Sequence, residues 1–234
     1  MHGSVHGKSV AGRRHGPRPR AVNDVNTEKH GFIQLHVISK NVQSIRDAGR
    51  FADFCAELAD VHFDLVCLSE TWRSEQSEVF QTLHGHCVYL NGSEHGRRVG
   101  VVVHRKNHAQ LKQVIFQPYS SRVCVLQFGL GDKKFRAFSC YFPTAWDGDD
   151  AVLQTYELVS ILLDNCVLEG CIPILGGDFN ACLGAPLVGD ELDFLGACGE
   201  GPRTERGHVF ARWVMQHGLQ ICNRLRPVEH ANDS

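Results

Sequence analysis

Short apolar runs flanked by polar residues at 32–38 (FIQLHVI) and 63–69 (FDLVCLS) predict two buried β-strands. Between them Phe51, Phe54, Cys55 and Leu58 recur at i, i+3, i+4 and i+7, the spacing that lines one face of a helix, and Asp47 supplies an N-cap ahead of it. β-rich segments follow at 86–90, 99–104, 111–116, 122–128 and 134–141. Turn residues such as Asn91-Gly92 and Gly131-Asp132 separate several of them, which predicts an antiparallel meander. A second helix is expected from about 150 to 165, where Val152, Tyr156, Val159 and Leu163 share a face behind the acidic start Asp149-Asp150. The strand IPIL at 172–175 comes next. A third helix near 206–217 buries Phe210, Trp213 and Val214 and ends at Gly218, a left-handed cap, before a last strand LQIC at 219–222. Helices separated by long strand runs suit a layered α/β sandwich, two sheets packed face to face with helices outside.

Composition adjusts this picture in three places. With 43% apolar and 21% charged residues over 234 positions, the chain has the make-up of a globular protein of one or two domains rather than a disordered or fibrous one. Residues 1–31 differ: they are rich in Gly, His, Arg and Pro and nearly devoid of large apolar side chains, so they are expected to form a flexible basic leader ahead of one domain at 32–234. The first 20 residues hold five basic groups (Lys8, Arg13, Arg14, Arg18, Arg20) and no acid, which leaves 19 basic against 26 acidic residues in the remainder. A mildly acidic body argues against broad nucleic-acid coating, which relies on many cations to neutralise phosphates. It is compatible with a metal-dependent phosphate enzyme, where carboxylates hold a cation that then supplies the positive charge.

Ten cysteines lie singly inside apolar segments, for example Cys67, Cys124 and Cys140, with no CxxC motif, and read as buried free thiols of a reducing compartment. No stretch approaches the roughly 20 consecutive apolar residues that cross a bilayer, and no apolar secretory signal opens the chain. The sequence therefore predicts neither membrane attachment nor export, and the expected location is nuclear or cytoplasmic.

Polar residues stand where the strands stop: Asn41 after the first, Glu70 after the second, Tyr141 at the end of the meander, and Asp178 with Asn180 after IPIL. Side chains at adjacent strand ends can converge on one rim of a sheet, however far apart they lie in the chain. Taken singly, each has an ordinary role as a turn residue, solvated acid, core aromatic or cap.

The segments LSETW (68–72), CYFPT (140–144) and GGDFNA (176–181), in this order and with GVVVHRK (100–106) between the first two, resemble the endonuclease/exonuclease/phosphatase superfamily. The stretch RGHVFARWVMQHGLQICN (206–223) is similar to the helix and strand after GDFN in the endonuclease domains of non-LTR retrotransposons, relatives of apurinic/apyrimidinic endonucleases and deoxyribonuclease I. This resemblance covers about residues 33–225 and implies a four-layered αββα sandwich of the deoxyribonuclease I type. It also implies a Mg2+-dependent phosphodiester hydrolase, with Mn2+ as an alternative ion and DNA as partner and substrate. On it, Glu70 matches the magnesium ligand and Asn41 the residue beside it that helps to position metal and phosphate. Asp178 matches the carboxylate that orients or deprotonates the attacking water, Asn180 a donor to phosphate oxygens, and Tyr141 a phenol close to the scissile phosphate.

The family pattern closes with a further Asp and a Ser-Asp-His-type segment, whereas Asn223 is followed only by RLRPVEHANDS, where His230 and Asp233 stand too early and in the wrong order. The expectation is a sandwich that lacks its last strands and cuts weakly or not at all. Three readings stay open: a DNA-nicking endonuclease of retrotransposon type, a non-catalytic remnant that binds metal and nucleic acid at most, and a phosphatase of the same superfamily. A reverse transcriptase downstream in a longer element is the partner that the retrotransposon likeness implies.

Overall fold

The computed structural model describes residues 33–225 except 74, 94, 95 and 145. The leader expected at 1–31, and His230 and Asp233, lie outside the described residues. Contacts divide the chain after Gln34, and every element below lies in the unit Leu35–Ser234. In chain order these are β1 (Val37–Asn41), α1 (Ala48–Asp60), β2 (Leu65–Ser69), β3 (Glu78–Gln81), β4 (Cys87–Leu90), β5 (Val99–Val103) and the short helix α2 (Arg105–His108). There follow β6 (Lys112–Ser120), β7 (Val123–Leu130), β8 (Lys133–Tyr141), α3 (Asp149–Leu168), β9 (Cys171–Asp178), the single turn α4 (Leu192–Leu195) and α5 (Glu205–Gln216).

Two sheets form, with strand orders β1-β2-β5-β4-β3 and β6-β7-β8-β9. Only β1–β2 and β8–β9 are parallel; the remaining neighbours are antiparallel. Period-two alternation then sorts the side chains into layers. Val66, Leu68, Val88 and Val102 turn outward and pack with Phe54 and Leu58 of α1. Val123, Val125, Phe138 and Cys140 turn to the opposite outer face, where Val159, Leu162, Leu163 and Cys166 of α3 and Phe210, Trp213 and Val214 of α5 cover them. The intervening positions face between the sheets, which gives the four layers αββα. By length and composition α3 could cross a membrane, but its apolar face is built into this core.

Local signals account for the helix boundaries. The Asp47 carboxylate accepts from the backbone N–H groups of Gly49 and Arg50 and so starts α1. Thr204 caps α5 through Gly207 N, and Gly218, at φ +62°, ends it with Leu219 N donating to Val214 O at 3.0 Å.

Three expectations are corrected, and one strand is new. The first strand begins at Val37, because β1 is a half-exposed edge strand rather than the fully buried run at 32–38. The β-rich segments are not one meander: β4 and β5 join the first sheet, and the chain then passes through α2 into the second. A four-residue strand, β3, precedes them; its length and alternating exposure gave little apolar signal. LQIC is no strand either. Ile221 N donates to Phe194 O at 2.8 Å, Leu219 and Ile221 pack against the core as loop residues, and a 3-10 turn follows at Cys222–Arg224.

At the N-terminal end of β2, His86 and His104 flank the Phe63 ring, each centroid 5.2 Å away, with their own rings 4.8 Å apart. The Nδ1 atom of each accepts a backbone N–H, from Arg105 and Lys106 respectively at 3.3 Å. Burial, then the neighbouring positive charges, push both imidazoles below their ordinary value of 6.5. The folded chain thus binds fewer protons than the unfolded one, so this stability is complete above about pH 6.5 and is lost as pH falls below it. The midpoint of thermal unfolding is expected to drop between pH 7 and pH 5. A flat profile across that window would contradict neutral, accepting imidazoles here.

Ten free cysteines are present, six of them buried like Cys67, Cys124 and Cys140, and burial pushes the Cys67 thiol up to about 12.

Candidate active site at the shared edge of the two sheets

In the parallel ladders Asn41 pairs with Ser69 and Tyr141 with Asp178, so each sheet brings two strand ends to one level. Asn41 Nδ2 donates to Glu70 Oε1, on its own sheet, at 3.0 Å and, across the gap between the sheets, to Asp178 Oδ2 at 3.1 Å. One amide nitrogen therefore touches carboxylates from both layers. Strand direction explains this: β1, β2, β8 and β9 all run toward this edge, so residues at or just past their C-terminal ends meet there.

Packed sheets usually stand about 10 Å apart, too far for so short a bridge, and small residues close the distance. A Cβ on Gly176 would lie 2.7 Å from the Cys67 side chain and 2.9 Å from Ser39 Oγ. Gly177 N donates to Ser39 Oγ at 2.9 Å, and Ser139 Oγ donates to Leu68 O at 2.8 Å. These bonds tie the strands together immediately below the carboxylates.

Glu70 sits in the left-handed region at φ +58°, an uncommon conformation for a residue with a side chain. Ser44 N donates to its carbonyl at 2.8 Å, and the loop after β1 runs beside it. Gln43 N donates to Asn41 Oδ1 at 3.1 Å, which turns the amide nitrogen toward the two acids. Asp178 is also tied down: Asn180 N donates to its Oδ1 at 3.0 Å, leaving Oδ2 for Asn41. Asn180, at φ +46°, gives one side-chain N–H to Phe142 O at 2.8 Å, so part of its donor capacity supports the loop after β8. Phe179 anchors this turn between Phe142 and Phe210, with centroids 5.1 and 4.7 Å away.

Tyr141 is only 1% exposed, and its hydroxyl accepts a hydrogen bond from Arg97 Nη1. The same nitrogen lies 3.6 Å from Glu70 Oε1, so a partly exposed guanidinium links phenol and carboxylate. Arg97 and Arg122 both lie over the Tyr141 ring, 5.1 and 5.5 Å from its centroid. The structure thus gathers Asn41, Glu70, Tyr141, Asp178 and Asn180 at one edge and adds two arginines that the sequence reading missed. The signal for Arg97 lay in topology: β5 is antiparallel to β2, so residues entering β5 arrive where residues leaving β2 depart.

Among the described residues, no group of three or more His, Cys, Asp and Glu side chains is placed to hold a metal ion. What the edge offers is sparse and hard: two carboxylates, oriented by the Asn41 amide nitrogen that donates to both. Mg2+ suits such a set, since it keeps several waters and is usually held by one or two carboxylates together with substrate phosphate. The residues present fit that ion. Buried beside them, Ser69 Oγ and Thr71 Oγ1 have no hydrogen-bond partner among the described residues.

Residues 38–218 match the family model described as the Endonuclease/Exonuclease/phosphatase family. Among solved structures, the endonuclease domain of TRAS1, a telomere-specific non-LTR retrotransposon, is similar with a TM-score of 0.50 at 17% identity, covering 79% of this chain and 71% of that one. The 3′ phosphatase NExo from Neisseria bound to a product DNA hairpin is similar with a TM-score of 0.45 at 19% identity, over 67% of this chain and 61% of that one. For D. rerio TDP2 complexed with a single strand DNA product the values are 0.41 and 19%, over 62% and 60%. No curated protein matches the chain.

Proposed function

The chain belongs to the endonuclease/exonuclease/phosphatase family, and on that premise we propose that it is a magnesium-dependent phosphodiester hydrolase that nicks DNA, of the type found in retrotransposons. The observation that carries this reading is the single amide nitrogen of Asn41 within 3.1 Å of carboxylates from both sheets. The likeness to the TRAS1 endonuclease domain supports the retrotransposon type, in which the domain would work ahead of a reverse transcriptase. Ten free thiols support a reducing location, nuclear or cytoplasmic.

Glu70, its carboxylate oriented by the Asn41 amide nitrogen, would hold the cation, which when bound supplies positive charge to the phosphate oxygens. Asp178 orients the attacking water and takes its proton, its backbone turn fixed by Asn180 N. The second side-chain N–H of Asn180 is left to donate to a phosphate oxygen. Because Arg97 donates to the Tyr141 oxygen, the phenol keeps its own proton for the phosphate, and the guanidinium adds charge where the transition state is most negative.

Conversion of supercoiled to open-circular plasmid, measured with protein in excess, tests the proposal. Nicking is expected in Mg2+, to disappear with a chelator, and to fall about 10²- to 10⁴-fold in Glu70→Gln. No metal-dependent nicking by the folded chain, or nicking indifferent to Glu70→Gln, overturns it.

A further inference from the structure

Trp146 is 96% exposed, whereas Trp213 is 7% exposed in the core. A bare indole forgoes one of the largest burial gains open to any side chain, which makes it informative where an exposed Leu is not. It does not sit on a slack loop. Asp147, the next residue, accepts from Thr144 N at 2.7 Å, Thr144 Oγ1 at 2.8 Å and Arg122 Nη2 at 2.8 Å, and Asp147 N donates back to Thr144 O at 3.1 Å. Burial opposes ionisation of Asp147, but the donors from Thr144 and Arg122 hold its carboxyl below the ordinary range, so the clamp is charged at neutral pH.

The clamp ends at the candidate active site. Phe142 N donates to Asp178 O at 2.8 Å and Phe142 O accepts from Asn180, so the loop that carries Trp146 starts on the residues assigned to water and phosphate. Arg122, which holds Asp147, also lies over Tyr141, and one of its nitrogens, Nη1, is buried with no hydrogen-bond partner among the described residues. An exposed aromatic plane on a fixed support, next to guanidinium groups, matches how proteins hold nucleic-acid strands: cations track phosphates, and a ring stacks on a base.

We propose that Trp146 stacks on a nucleobase next to the scissile phosphate, so that the substrate of this edge is a polynucleotide rather than a small phosphate ester. This rests on the hydrolase reading for the identity of the edge, but its test does not depend on turnover. Stacking contributes about 1–3 kcal/mol per base, which corresponds to roughly 5- to 150-fold in affinity.

Fluorescence titration of the full 234-residue chain carrying Asp178→Ala, with a short DNA oligonucleotide in Mg2+, reads the contact directly. Emission is expected to be quenched on binding, with that quenching lost in Trp146→Ala. Affinity should fall by the stacking factor in Trp146→Ala and be largely restored in Trp146→Phe. An oligonucleotide with one abasic position beside the target bond should weaken the parent by the same factor and leave Trp146→Ala indifferent. Unchanged affinity in Trp146→Ala overturns the inference. So does a Trp146→Ala effect confined to self-association in sedimentation, which would assign the indole to a protein contact. If Trp146-dependent quenching persists while the chain without substitutions does not nick, the base contact stands and the hydrolase reading falls. If nicking occurs but Trp146→Ala binds normally, only the base contact falls.

Discussion

Replacing Asp178 with asparagine is expected to slow plasmid nicking by about 10³- to 10⁴-fold while leaving the chain folded. The substitution keeps the shape and the oxygen that accepts from Asn180 N, removes the charge, and puts an NH2 group in place of the oxygen that accepts from Asn41. The stability change should be small, because relief of carboxylate repulsion offsets loss of the hydrogen bond from Asn41. Two carboxylates now share one neutral donor, with a single guanidinium at 3.6 Å from Glu70 to offset them, so the edge carries repulsion in the absence of a cation. Single-turnover nicking and thermal unfolding on the same preparation check both halves. Retention of more than a tenth of the rate would remove Asp178 from the chemistry.

Gly177→Ala should be the most damaging single methyl in the described chain. A Cβ there would meet Cys140 O at 1.9 Å, on a backbone at φ +134° that only glycine adopts readily. Overpacking costs about 1–3 kcal/mol, and a disallowed φ about 1–3 kcal/mol more. Native domains have only about 5–15 kcal/mol in total, so the urea midpoint should fall steeply, and Asp178 would be displaced in whatever remains folded. The neighbouring Gly176→Ala presses on the Cys67 side chain instead, without backbone strain, and should be milder. An unchanged midpoint in Gly177→Ala would mean that β8 and β9 do not approach as described.

What the sequence made legible follows from where its signals are local. Asp47, Thr204 and Gly218 act within one turn of their own backbone, so helix ends can be read from neighbours in the chain. The apolar runs of β2 and β9 are bounded by polar residues because those strands end at a wet edge, and this made Glu70 and Asp178 visible. Strand pairing is a different matter. Nothing local separates β4 and β5 from β6, because the division between sheets is decided by which face finds a partner, and α2 between them is only one turn long. LQIC fails for the same reason: an apolar alternation satisfies a loop against a core as well as it satisfies a ladder. Arg97 and Trp146 carry no motif. Their interest comes from the folded neighbourhood, one through an antiparallel partner and the other through the absence of cover.

Because Glu70 hangs from one sheet and Asp178 from the other, the edge works like a calliper whose jaws are the two β layers. Any slip between them changes its opening before either layer melts. Ser39, Ser139 and Gly176 set the spacing, so substitutions that never touch substrate should detune the grip on a divalent ion. Warming should then cost this chain its cation affinity at temperatures where its circular dichroism is still that of the native fold.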